Sequence, residues 1–269
     1  MIVTTPVLTD THCHIDAYDN PVAVLDGAHA AGVHVIAVTE DPGKYRLLRT
    51  RLGRRDGVDV ALGFHPLRAG SASPHDLARF LRLLPQATWI GEIGLDFSRT
   101  GVATRKQQLR VFEAILADPQ LRTHPVTVHS RGAERETITR LAQAQVPAIL
   151  HWYTGPLAAV DDALSAGLWF SINPAMTRSK KGEALLQRLP PERILLETDG
   201  PYARCGNRPV TPADLRGTVE YLARQWGMSA NEARGVIVRG QGNFWSQTSA
   251  HLQLDEGSKG SICDASSTP

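Results

Sequence analysis

Ten histidines and twenty-seven acidic residues are spread over 269 positions, yet a subset of them falls in one kind of place. His12 and His14 form a His-Cys-His at the end of an apolar, β-branched run, VLTDTHCH (7–14). His65 ends VDVALGFH (58–65), and Glu92 and Asp96 fall late in TWIGEIGLD (88–96). His129 comes late in PVTVHS (125–130), His151 in PAILHWY (147–153), and Asp199 closes RILLETD (193–199). Imidazoles mixed with carboxylates suit zinc, manganese, iron or magnesium, and need no thiolate. Residues i and i+2 of a strand share a face, so His12 and His14 can reach one ion while Cys13 turns away. Six donors (His12, His14, Glu92, His129, His151, Asp199) exceed what one catalytic zinc takes, so two ions are expected. Glu92 suits a bridge, with one oxygen for each ion. Ions about 3.5–4 Å apart activate a water and clamp both oxygens of an in-line displacement. Singly, each motif is weak: a lone His-x-His is usually incidental, a strand-end histidine usually a rim hydrogen bonder, and Glu92 could be a structural ion pair. The recurrence at equivalent points of separate repeats carries the reading.

Those repeats are short runs of apolar, β-branched residues, and VHVIAVTE (33–40) and LWFSIN (168–173) complete the set of eight. Most are continuous rather than alternating, the pattern of parallel strands covered on both faces. Between them lie segments of helical period such as PVAVLDGAHAAG, RKQQLRVFEAILAD and PLAAVDDALSAG, with proline near a start or glycine past an end. Eight strand-then-helix units predict an α/β fold, a (β/α)8 TIM barrel, whose strand C-termini converge on one catalytic face. A doubly wound open sheet is the alternative, but an H-x-H stands where its Gly-rich phosphate turn should be. Residues 211–246 should supply one or two closing helices. The expected organisation is one barrel domain over 1–246 and a flexible tail over 247–269, which is rich in Ser and Gly.

Composition removes other classes. With 42% apolar and 21% charged residues the chain is neither disordered nor a coiled coil. No apolar run reaches the ~18 residues of a membrane span, and MIVTTPVLTD lacks the features of a secretory signal. A net charge of +2 gives no global field for a polyanion or a membrane, so any polyanion must be held locally. Three scattered cysteines (Cys13, Cys205, Cys263) point to a reducing cytoplasm rather than a disulfide framework.

The strings DTHCHID (10–16), GFHP (63–66), GEIGLD (91–96), VHSR (128–131), HWYTG (151–155) and ETDGP (197–201) resemble, in order, the motifs of the TatD family of metal-dependent deoxyribonucleases. The resemblance implies an amidohydrolase-like barrel, a nuclease-type hydrolase of phosphodiesters, and a metal set matching the six donors above. It also implies that Asp199 takes the proton of the attacking water besides binding an ion. Trp152 stands where many members carry Cys, and Leu67 where they carry a second histidine. In wording, residues 170–203 are similar to the TatD-like component of the bacterial Qat anti-phage defence system, which implies other Qat proteins, an ATPase among them, as partners.

Around this set, His65 is placed to hydrogen-bond a phosphate or leaving group, or else to serve the rim. Arg131 could hold a phosphate oxygen or pair with Glu92 or Asp96. Asp10 and Asp16 are expected to orient His12 and His14, with Asp96 in a similar supporting place. Trp152 and Tyr153 could stack a base or pack the barrel. TRSKKG (177–182) and ARCGNRP (203–209), the latter containing Arg208, could contact a nucleic-acid backbone. Two other functions compete with a DNA-cleaving enzyme: hydrolysis of amide or ester bonds in a small molecule or modified nucleotide, and an assembly component with a vestigial site.

Overall fold

The computed structural model describes residues 7–259. Eight strands close a parallel barrel in sequence order: β1 (Leu8–Cys13), β2 (Val33–Ala37), β3 (Val58–Leu62), β4 (Trp89–Gly94), β5 (Val126–His129), β6 (Ala148–Leu150), β7 (Trp169–Ile172) and β8 (Ile194–Leu196). Asp10 of β1 registers with Leu196 of β8 to close the ring. The connecting helices are α1 (Pro21–Ala30), α2 (Pro42–Leu52), α3 (Pro74–Leu83), α4 (Arg105–Leu116), α5 (Glu134–Ala144), α6 (Val160–Ser165) and α7 (Lys180–Leu186). Their starts follow local chemistry. Asn20 caps α1 through Ala23 N–H, Asp41 caps α2, Ser73 and Asp76 form a capping box on α3, and each of the three has proline in its first turn.

Two helices complete the domain, α8 (Leu215–Trp226) and α9 (Ala230–Lys259), with a small ribbon of β9 (Arg204–Cys205) and β10 (Arg208–Pro209) before them. α9 continues past residue 247, where the flexible tail is expected to begin, as far as Lys259. Neither Pro nor Gly falls between Gly242 and Gly257 to stop it, whereas the composition reading averaged over the whole stretch. Residues 260–269, and Cys263 with them, lie outside the described residues.

The period of two divides the barrel interior into an apolar floor and a polar ceiling. Ile149, Trp169 and Leu195 form a buried cluster with Ile36, Val38, Ala61 and Trp89, and Phe244 of α9 seals it from below. Two residues further along the same strands come His151, Ser171 and Glu197, all buried and polar. Gly94 shows why glycine ends β4: at φ +133°, an added Cβ would sit 2.0 Å from the carbonyl oxygen of His129.

Candidate metal centre

The ceiling gathers the predicted donors around one carboxylate. Glu92 projects from β4, 2% exposed, and its two oxygens face different partners. Oε2 lies 3.5 Å from His12 Nε2 and 3.4 Å from His14 Nε2. Oε1 lies 2.7 Å from His129 Nδ1 and 2.9 Å from His151 Nε2. Asp199 Oδ1 completes the first group, 3.7 Å from His12 Nε2 and 3.5 Å from His14 Nε2. His12, His14 and Asp199 thus form one compact donor triad, and His12, Glu92 and His151 another. All six side chains expected to hold metal meet here, carried by β1, β4 and β5 and the residues just past β1, β6 and β8.

The residues present fit a divalent ion. His12 Nε2 is buried without a hydrogen-bond partner and faces two carboxylates, while Nδ1 is engaged by Thr127 Oγ1 at 2.8 Å. Burial, followed by the stacked ring of His151 at 3.8 Å, pushes His12 down to about 3, so its imidazole is neutral as a ligand must be. His14 behaves in the opposite way. Burial pulls its pKa down, but hydrogen bonds to Asp199 and Glu92 outweigh that and raise it to about 10. His129 reaches about 9 by the same balance, with Asp96 and Glu92 overriding burial. Burial raises the Glu92 carboxyl, but the surrounding histidines, His65 foremost, hold it well below the usual range. Two carboxylates that keep imidazoles protonated are the electrostatic equivalent of a cation site.

The supporting residues divide. Asp96 accepts from His129 Nε2 at 2.9 Å, as expected of a carboxylate behind a ligating imidazole. Asp10 does not reach the His12 or His14 rings. It accepts from Thr198 N–H at 2.9 Å, from the Thr198 hydroxyl, and from His12 N–H at 3.2 Å, tying the end of β1 to the chain beyond β8. Asp16 also misses the histidines and pairs with Lys44 at 3.7 Å, because the chain has already turned into a 3-10 segment, Ile15–Ala17. Period-two logic gives the face of a strand, not the partner of a ring nitrogen.

His65 ends in a defined state. Its Nδ1 accepts Leu67 N–H at 3.1 Å, which leaves the ring proton on Nε2, 3.5 Å from Glu92 Oε1 and lining the cavity. It lies close enough to Glu92 and His129 to be grouped with them as a donor triad. A ring whose Nε2 carries the proton, however, donates a hydrogen bond and does not ligate.

A cavity of about 780 Å³ opens over this centre, lined among others by His65, Arg131, Trp152 and Tyr202. Arg131 is exposed and makes no ion pair with Glu92 or Asp96 among the described residues. Trp152 is half-buried on the wall in a left-handed backbone conformation (φ 37°), its N–H held by Glu197 Oε1 at 2.9 Å. Tyr153 is not on the rim: it is 3% exposed, packs on Phe170 and donates to the Pro156 carbonyl. Arg208 is not at the cavity either; it grips Asp214 with two hydrogen bonds of 2.8 and 2.6 Å.

Four residues escaped the sequence reading. Thr127 lies two residues before His129 and Glu197 two before Asp199, positions that same-face spacing could have flagged. Tyr202, 55% exposed, stands edge-on to His14 at 4.8 Å. Glu40 lines the mouth beyond β2, where Lys44 and Arg68 outweigh burial and hold it down to about 2.

Comparison with known proteins places the chain in a family. The family model "TatD related DNase" matches residues 9–240. Human deoxyribonuclease TATDN3 is 32% identical over 255 residues, covering 86% of this chain and 92% of that protein. The 3'-5' ssDNA/RNA exonuclease TatD of Klebsiella pneumoniae is 33% identical over 209 residues, 74% of this chain and 79% of that one. The crystal structure of the Escherichia coli TatD homolog YjjV superposes with a TM-score of 0.77 at 23% identity, covering 87% of this chain and 95% of the other.

Proposed function

The chain belongs to the TatD related DNase family, a metal-dependent hydrolase of nuclease type, and from that premise we propose that it hydrolyses nucleic-acid phosphodiesters with two ions, trimming single-stranded DNA ends. The observation that supports the two-ion reading is the division of Glu92: Oε2 faces His12 and His14, Oε1 faces His129 and His151. Zinc, manganese or magnesium bound there supplies Lewis acidity toward a phosphoryl oxygen and makes water a stronger acid. His12, His14 and Asp199 would hold one ion, His129 and His151 the other, with Glu92 between them.

The chain's own groups do the rest. Asp199, kept ionised by His14 against the effect of burial, accepts a proton from the attacking water as that oxygen bonds to phosphorus. The bond from phosphorus to the leaving ester oxygen breaks, and that oxygen takes a proton from solvent. His65 Nε2–H donates to a phosphoryl or leaving oxygen, and Arg131 can grip a second phosphoryl oxygen. Trp152 and Tyr202 flank the cavity as surfaces for a base. The similarity of residues 170–203 to the Qat component supports an anti-phage role in the cytoplasm beside the other Qat proteins; no described helix is long and apolar enough to cross a membrane.

Metal content of the purified protein, with nuclease assays on end-labelled single and double strands, tests the proposal. Single strands should shorten from an end, and His12→Ala or His151→Ala should abolish this while the fold persists. Turnover of carboxylic esters or amides alone would move the substrate to small molecules. No turnover with a full complement of metal would leave an assembly role.

A further inference from the structure

Two motifs that the metal centre does not absorb, TRSKKG and ARCGNRP, share a second cavity of about 510 Å³. Its walls are the segment after β7 (Pro174, Thr177, Arg178), the ribbon after β8 (Cys205, Arg208) and one side of α8 from its first turn (Arg216, Thr218) to its last (Arg224). Its Arg178 and Arg208 end opens beside the catalytic face, separated from the metal cavity by the 199–205 segment, whose Asp199 and Tyr202 line the other side, and from there it runs along α8 to Arg224. Loops after the seventh and eighth strands are where β/α barrels commonly place a phosphate.

The charge count favours an anion. Four arginines line the groove (Arg178, Arg208, Arg216, Arg224) against two acids, Asp214 and Glu220. Asp214 is fully engaged by Arg208, and Glu220 accepts from Arg216 Nε at 3.0 Å. Arg178 and Arg224 have no acidic partner among the described residues; Arg224 only stands over the ring of Tyr221 at 5.9 Å. Glu183, the next acid near Tyr221, is outside the lining. A second, independent feature lies in the floor. The Thr218 side chain is 1% exposed and its hydroxyl has no hydrogen-bond partner among the described residues. A buried hydroxyl left unpaired is costly unless a ligand or water completes it.

We propose that this groove, resting on the nuclease reading above, binds backbone phosphates of the substrate strand beyond the scissile one, with Arg178 and Arg224 as the phosphate-binding charges and Thr218 as a neutral donor. It gives a chain with a net charge of only +2 a local track for a polyanion. It also makes the enzyme prefer strands over dinucleotides.

The test is binding of a fluorescent ten-nucleotide oligothymidylate with phosphorothioate linkages, which keeps its charges and resists cleavage, to the metal-loaded full chain. The variant Arg178→Glu/Arg224→Glu should bind about tenfold more weakly or worse, and its salt dependence should flatten by about 1.4, two contacts at about 0.7 each. Thr218→Val should weaken binding a few-fold. The control Arg51→Glu/Arg54→Glu, an equal charge change at the end of α2 and outside the groove, should bind as the wild type does. Metal content and melting temperature confirm the fold; if the glutamates lower either, Arg178→Gln/Arg224→Gln replaces them and should still weaken binding about threefold or more. Equal affinity in groove variant and wild type, or equal loss in groove variant and control, overturns the groove. Groove-dependent binding by a wild type that cleaves no labelled strand upholds the groove and refutes the nuclease reading instead.

Discussion

A carboxylate that serves two ions must present a separate oxygen to each, and Glu92 does so because its backbone lies in the middle of the donor ring, between β3 and β5. Glu92→Gln keeps the size but loses the charge that offsets repulsion between two nearby cations. Titration should find two ions per wild-type chain and simultaneous weakening of both in the variant. A wild-type stoichiometry of one would refute the bridge. His65 predicts a different pattern, because it donates rather than ligates. His65→Ala should leave metal content intact and lower kcat by about 10–100-fold, and His65→Gln, which restores an N–H, should recover part of it. Loss of an ion in His65→Ala would show that Nε2 ligates after all. At this scale the sequence was readable for which histidines and carboxylates come together, because their types and recurrence are chemical signals. It was unreadable for Asp10, Asp16, Tyr153 and Arg208, whose partners depend on where a turn or a backbone amide happens to fall.

Strands carry the donors to one level, and they were legible because burial on both faces leaves continuous apolar runs. What the runs could not show is the closing element. Phe244 of α9 packs against Trp89 and Trp169 at 6.2 and 5.7 Å between ring centroids, sealing the floor beneath the polar layer. One of two adjacent aromatics, Phe244 and Trp245, in a helix of mixed composition gives no periodic signal of that role. Phe244→Ala should cost about 3–5 kcal/mol of stability, the usual range for a large buried aromatic. Chemical denaturation would measure it, and metal content at low temperature should be unchanged, because the apolar layer separates the two. A loss below about 1 kcal/mol would mean that α9 does not plug the barrel.

The molecule as a whole is a ring whose closure and chemistry meet at the same place. The six donors come from five strands or strand ends, including both partners of the β1–β8 seam, so bound ions would staple strands far apart in sequence. Ligands that bind only the folded state stabilise it by about 2.7 kcal/mol at a hundredfold excess over Kd. For a domain of this size that is a rise in Tm of about 5–10 °C on loading the stripped protein. The pKa shifts fix how this difference varies with pH. His14 and His129 sit near 10 and 9 without metal, so each must give up a proton before its lone pair can bind. Raising the pH from about 6 to 8.5 therefore strengthens metal binding, by up to about 1.4 kcal/mol per unit for each proton released. The stripped protein moves the other way. A histidine whose folded pKa is raised lends stability that is complete below about 6.5 and is lost as pH climbs through its folded value. The two trends are one linkage seen from either side, and the gap between loaded and stripped protein widens toward alkaline pH. Paired thermal melts across that range, with manganese and with chelator, would show it; a gap that stayed constant or narrowed would mean that His14 and His129 are not protonated in the empty centre.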